Sequence, residues 1–323
     1  MKIVVLDGYT LNPGDCPWDP VEKLGELTVY DRTEADQIVP RAAEAEILLT
    51  NKTPLTAESL AQLPKVKFIA LLSTGYNVVD IAAARQRGIP VSNVPAYSTD
   101  SVAQFTFALL LEMCHHVGLH SRQVREGLWS RQKDFCFWSA PLIELAGKRM
   151  GVVGFGRIGR RVGEIAHALG MDVLAYARTH TGRLPGPAPD YRPFAFAGLE
   201  EVFAQADVVS LHCPQTAENL EMVNRRLLDL MKPAAMLINT ARGALVCEAD
   251  LADALNSGRL AAAAADVVSH EPIRSDNPLL TARNMILTPH IAWAALDARH
   301  RLMQITAENV AAFQTGKPIH VVN

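Results

Sequence analysis

The chain has 323 residues, 49% of them hydrophobic, with a formal net charge of −3 from 31 basic and 34 acidic residues spread along its length. Its mean hydropathy is +0.08, so there is material for two domains with their own cores, and no basic block that would favour nucleic acid as a partner. The longest apolar runs, such as FTFALLL and LAAAAADVV, fall short of the roughly 20 residues a bilayer span needs, and the start MKIVVLDGY lacks the long apolar region of a signal peptide; a cytoplasmic chain without membrane contact is expected.

KIVVLD, LTVYD, EILLTN, KFIALLS and PVSNVP are short β-rich runs, parted by helical stretches at 57–63 and 79–87. They predict one α/β unit. A long helix is expected from Thr99, with Ser98 or Asp100 as cap, running through SVAQFTFALLLEMCHHVGLHSRQV and linking two domains. Beyond the aromatic loop LWSRQKDFCFWSAPL come RMGVVG, DVLAYA, DVVSLHC, AAMLINT, AAAAADVV and NMILTP. Strands so continuously apolar, separated by helices, predict a parallel sheet covered on both faces. TGRLPGPAPD, 181–190, reads as a turn-rich surface loop, and the amphipathic stretch from Trp293 to Phe313 is too far from residue 1 to be placed by pattern alone. The five cysteines, Cys16, Cys114, Cys136, Cys213 and Cys247, are odd in number and scattered, with no C-x-x-C pair and no zinc-type histidine spacing. They predict packing thiols and no metal site.

The first chemical signal is MGVVGFGRIGRRVGEIAHALGMDVLAYART. Gly154, Gly156 and Gly159, with Phe155, Arg157 and Ile158 between them, form G-x-G-x-x-G directly after an apolar strand and at the mouth of a helix. Backbone N–H groups and the positive helix end suit a dinucleotide pyrophosphate there. An acid normally ends the following strand and holds the ribose of NAD, but here Ala177 stands in that place. Arg178 and Thr179 follow, a cation and a hydroxyl suited to a 2′-phosphate, with His180 and Arg183 close behind. NADP(H) is therefore favoured over NAD(H), with use of both as the main competitor.

Together with LLSTGYNVVD, NVPAYSTDSVAQ, LAGKRMGVVGFGRIGR, SLHCPQTAEN, LMKPAAMLINTARGALV, AAADVVSHEP and LTPHIAW in that order, this segment resembles the D-2-hydroxyacid dehydrogenase family over nearly the whole chain. Within it the pattern is most similar to glycerate dehydrogenases, also called hydroxypyruvate reductases, and next to glyoxylate reductases. The resemblance implies an α/β protein in which a Rossmann-type, doubly wound parallel cofactor domain, 98–290, is inserted into a flavodoxin-like substrate domain made of 1–97 and 291–323. It also implies a homodimer, with the helix after Thr99 in the contact, and a short 2-oxo or 2-hydroxy acid as substrate.

The same resemblance places the chemistry. Arg242, in INTARGALV, would grip the 2-oxo acid through its carboxylate and carbonyl oxygens, which a planar guanidinium can do bidentately. His290, in LTPHIAW, would give a proton to the carbonyl oxygen as hydride arrives at carbon, or take it back in oxidation. Glu271, in VVSHEP, would hydrogen-bond His290, fix its tautomer and favour the charged imidazolium. Ser73, Thr74 and Gly75 form a turn whose backbone N–H groups suit the substrate carboxylate. Thr240 and Ala241 would pass the nicotinamide ribose, Asp266 would accept from the carboxamide, His212, Cys213 and Pro214 would lie against the adenosine, and His290 would face the nicotinamide. Gln104 replaces a common Glu, and Trp293 a small residue. Phe137 and Trp138 either project toward the partner subunit's site or form interface core. The competing class is a nucleotide-sensing, corepressor-like binding protein on the same fold.

Overall fold

The five apolar runs at the head of the chain become β1 (Lys2–Val5), β2 (Glu26–Val29), β3 (Ile47–Thr50), β4 (Phe68–Leu71) and β5 (Val91–Ser92). They pair in parallel in the order β2-β1-β3-β4-β5, a flavodoxin-like sheet. Every residue of β3 and β4 is buried, because apolar layers cover both faces. One of those layers comes from the far end of the chain. The helix Leu296–Gln314 sets Leu302, Met303 and Val310 into the core with Ile3, Val5 and Phe68, and Phe313 stacks on Phe68 with centroids 4.5 Å apart. Its buried Arg299 forks onto the Asp15 carboxylate at 2.5 and 2.7 Å.

A computed structural model describes residues 1–178 and 189–323. The chain divides into two units, Met1–Ser98 with Trp293–Asn323, and Thr99–Ala292. Thr179, His180 and Arg183, and the loop expected at 181–190 as far as residue 188, lie outside the described residues.

The larger unit holds β6 (Arg149–Val153), β7 (Asp172–Tyr176), β8 (Phe194–Phe196), β9 (Val208–Leu211), β10 (Met236–Asn239), β11 (Ala262–Ala265) and β12 (Met285–Leu287). Their order is β12-β11-β10-β9-β6-β7-β8, and all pairs are parallel. The winding reverses between β6 and β9, the crevice where such sheets bind ligands at the carboxyl ends of their strands. β8 is absent from the sequence expectation. It is three residues long, too short for a period to show, and it is held by pairing to β7 and by Phe194 and Phe196 packing on Phe155, with centroids 5.2 and 5.6 Å apart. The alanines of β11 leave room for the helix Thr99–His115, whose Phe107 and Leu110 share a core with Ala264.

That helix is shorter than expected. It stops at His115, and a second helix, Val117–Arg125, continues at 57° to it. His116 between them takes φ 48°, a left-handed conformation that ends the helical ladder, while the Glu112 carboxylate turns back to accept the N–H of Gly118 at 3.2 Å and so caps the new helix. No single helix among the described residues is long and apolar enough to cross a membrane. All five cysteines are free; Cys16 and Cys114 are buried and Cys136 is exposed.

Candidate active site

The glycine turn closes β6 onto its neighbours. Gly154 has φ 97°, and a Cβ there would stand 2.5 Å from the N of Cys213, so the backbone after β9 approaches too closely for any side chain. At Gly159 a Cβ would meet the Gly154 carbonyl oxygen at 2.1 Å, which brings the helix Arg157–Ala168 tight against the turn. Gly156 differs. It is the N-cap of that helix, and a Cβ on it would meet nothing within 4 Å. The turn thus leaves its second glycine open at a helix N-terminus, the cradle a pyrophosphate needs. Between the glycines, Phe155 is a core side chain, 1% exposed, whereas Arg157 is exposed and Ile158 half-buried.

The strands on either side bring the residues expected at the adenosine. After β7, Ala177 is buried and Arg178 is exposed, its Nη1 3.3 Å from Glu218 Oε2. After β9, His212 donates its N–H to the Val153 carbonyl at 2.7 Å, and its Nε2 shares a hydrogen bond with the Ser210 hydroxyl at 2.8 Å. Burial pushes the His212 imidazole pKa down to about 3, so the ring is neutral. Desolvation raises the neighbouring Cys213 thiol, and Pro214 is exposed.

At the end of β10, Asn239 organises the turn that carries Arg242. It is 3% exposed; its Oδ1 accepts the N–H of Ala241 at 3.0 Å and its Nδ2 donates to the Arg242 carbonyl at 2.9 Å. Thr240 packs its hydroxyl 3.2 Å from that of Thr106. The exposed Arg242 side chain donates through Nη1 to the Ala241 carbonyl at 2.6 Å. A Cβ on Gly243 would fall 1.8 Å from the Val268 carbonyl carbon, so only glycine lets this turn lie on the loop after β11. Glu248 fixes the same loop by accepting from the N–H and hydroxyl of Ser269 at 2.7 and 2.8 Å, and from Asn277 Nδ2 at 2.9 Å.

Two residues further on, Glu271 Oε2 meets His290 Nδ1 at 2.6 Å. Both side chains are partly open to solvent, 36% and 28% respectively. His290 has φ 55°, an uncommon conformation for a residue with a Cβ, and Asp266 holds it there. The Asp266 carbonyl accepts the N–H of His290 at 2.8 Å. Its carboxylate, 1% exposed, accepts from the Thr288 hydroxyl at 2.6 Å and from the N–H groups of Ile291 and Ala292 at 2.9 and 2.8 Å. The acid at the end of the alanine strand therefore clamps the histidine loop from both sides.

Sequence reasoning singled out Arg242, Glu271, His290 and Asp266, and the structure gathers their loops at the ends of adjacent strands β10, β11 and β12. It missed Asn239, Glu248 and Thr288. The signal was there for Asn239, a polar residue ending a wholly buried strand; Glu248 and Thr288 act across 21 or more residues, a separation no local pattern shows. In the smaller unit, the turn after β4 is pinned by its own hydroxyls. Ser73 Oγ donates to the Gly75 carbonyl at 2.6 Å and Thr74 Oγ1 to the Val94 carbonyl at 2.7 Å, while the N–H groups of Ser73, Thr74 and Gly75 are not spent on partners among the described residues. Trp293 packs edge-on against the buried Tyr97, 6.4 Å between centroids, and Gln104 is exposed on its helix.

Residues 107–292 match the family model of the D-isomer specific 2-hydroxyacid dehydrogenase, NAD binding domain. The chain belongs to that family, and the unit built on β6–β12 is its nicotinamide-dinucleotide domain. A hydroxypyruvate reductase of Blautia hydrogenotrophica is 51% identical over 326 residues, covering all of both chains. A glycerate dehydrogenase of Methylorubrum extorquens is 39% identical over 99% of this chain and 98% of its own. Among solved structures, an NADPH-dependent glyoxylate/hydroxypyruvate reductase of Sinorhizobium meliloti, in complex with NADP and malonate, superposes with a TM-score of 0.82 at 28% identity, over 99% of this chain and 96% of that one. The protein is thus an NAD(P)-dependent oxidoreductase acting on a small 2-hydroxy or 2-oxo acid.

Proposed function

We propose that the chain reduces hydroxypyruvate or glyoxylate to the corresponding 2-hydroxy acid, with NADPH preferred over NADH and His290 as the acid. The observation that carries this reading is the 2.6 Å contact of Glu271 with His290 Nδ1, on a loop held in a strained conformation beside the Arg242 turn. The glycine cradle at Gly156 fits a dinucleotide pyrophosphate, and Arg178 offers the 2′-phosphate a guanidinium. A bound reduced nicotinamide supplies the hydride. Arg242 grips the substrate carboxylate and polarises the carbonyl that becomes the alcohol. With Nδ1 held by Glu271, His290 gives its proton from Nε2 to the carbonyl oxygen, and the carboxylate stabilises the imidazolium before transfer. In this reading the smaller unit is the substrate domain, and the N–H groups of its Ser73–Gly75 turn suit a carboxylate.

A homodimer belongs to the same proposal. Trp129, Phe135, Trp138 and Leu142 are exposed on the segment after Arg125, with Phe135 at 89%, while Phe137 tilts onto His120. So much apolar surface on one segment supports a partner there. The test of the whole reading is a panel of 2-oxo acids assayed with both reduced coenzymes. Hydroxypyruvate or glyoxylate with NADPH should give the highest kcat/KM; a longer or branched acid ahead of both, or NADH well ahead of NADPH, would count against it.

A further inference from the structure

Arg178 and Glu218 come from opposite sides of the glycine turn. Arg178 lies two residues beyond β7, and Glu218 sits in the turn Ala217–Asn219 after β9, while β6 runs between those two strands. The Glu218 turn is anchored: Asn219 Oδ1 accepts the N–H of Thr216 at 2.7 Å and Asn219 Nδ2 donates to the Pro214 carbonyl at 2.8 Å. Its carboxylate is therefore presented to Arg178 from a fixed base, across the end of β6. Both side chains are open to solvent, at 69% for Arg178 and 80% for Glu218.

We infer that Glu218 sets how strongly the protein distinguishes NADPH from NADH, by holding Arg178 in an ion pair that a 2′-phosphate has to displace. The inference rests on Arg178 as the phosphate-binding residue. A coenzyme without the 2′-phosphate leaves the pair as it is. One with it must exchange a carboxylate for a phosphate on the same guanidinium, and gains only the difference between the two contacts. The pair is exposed, so the exchange is cheap and the penalty on NADPH is modest. Ala177 adds no charge of its own at this strand end, so Glu218 is the acid that opposes the phosphate there, and it acts through Arg178.

The experiment is a double-mutant cycle on the full chain, Glu218→Gln, Arg178→Ala and both together, with kcat/KM measured for NADPH and NADH and, without substrate, the Kd of each coenzyme by calorimetric titration, which should move in step with KM. Gln keeps the size of the side chain in an exposed turn, and equal unfolding temperatures check that the fold is unaffected. Glu218→Gln should raise kcat/KM for NADPH about two- to fivefold, mainly through KM, the range an exposed ion pair allows, and leave NADH within about twofold. On the Arg178→Ala background it should change neither. An unchanged NADPH-to-NADH ratio in Glu218→Gln overturns the inference. So does a loss of NADH activity, which would make Glu218 a ribose acceptor, or an NADPH gain that persists without Arg178, which would mean direct repulsion. If Arg178→Ala leaves NADPH untouched, the phosphate-binding role of Arg178 itself has failed, and the inference falls with it; if Arg178→Ala weakens NADPH but Glu218→Gln does nothing, only the inference has failed.

Discussion

Asp266 and His290 are joined through the main chain, the His290 N–H donating to the Asp266 carbonyl at 2.8 Å, while the Asp266 carboxylate receives the next two N–H groups, of Ile291 and Ala292. Three donors converge on a carboxylate that is 1% exposed, all from 288–292. Its first task is to hold the imidazole where Glu271 can reach it.

Replacing Asp266 with Asn puts an NH2 group against one of those donors. The histidine loop should relax, and kcat should fall by roughly 10²-fold, the cost of a misplaced catalytic group, even at saturating coenzyme. Stopped-flow binding and steady-state rates on one preparation separate the possibilities. If only the coenzyme Kd rises and kcat holds, the carboxylate serves the carboxamide and not the loop.

Arg242→Lys retains the charge and discards the planar fork. Charge-assisted bonds of this kind contribute about 1.5 to 3 kcal/mol, so the KM for the 2-oxo acid should rise roughly ten- to a hundredfold. The KM of NADPH should stay put. Equal substrate KM values for the two enzymes would mean that Arg242 does not grip the carboxylate.

His212 makes stability depend on pH in a defined direction. Its folded pKa is about 3, against 6.5 for the free side chain. Between those values the unfolded chain binds a proton that the folded chain refuses, so stability rises with pH through this window. The contribution is complete above about 6.5 and is lost as pH falls toward about 3, at no more than about 1.4 kcal/mol per pH unit. His212→Gln should flatten the fall of the unfolding midpoint between about pH 7 and about pH 5. Parallel curves for the two proteins would mean that His212 protonates as readily in the folded state.

The strands and the glycine turn were legible because they are local. Apolar runs such as ILLT and FIAL announce fully covered strands, and G-x-G-x-x-G fixes a strand, a tight turn and a helix within one window. The break at His116 was not legible, since the residues on either side favour helix and the contact that accompanies the left-handed turn, Glu112 accepting from the N–H of Gly118 six residues on, follows no helical period. The side chains named for chemistry were recovered from motifs, but their supports were hidden. Asp266 was legible as a residue expected at the coenzyme, but its contacts with Thr288, Ile291 and Ala292, more than 20 residues away, show only in the fold. Arg178 read as a cation with no acid opposite it for the same reason, as Glu218 is 40 residues distant.

The most direct test of the account is the turnover of His290→Ala with hydroxypyruvate and NADPH, alongside titration of NADPH binding to the same variant. The kcat should fall by roughly 10² to 10⁴ as the proton donor is lost, while NADPH binds nearly as before. Turnover close to that of the natural protein would contradict it, because the carbonyl oxygen would then be receiving its proton from some other group.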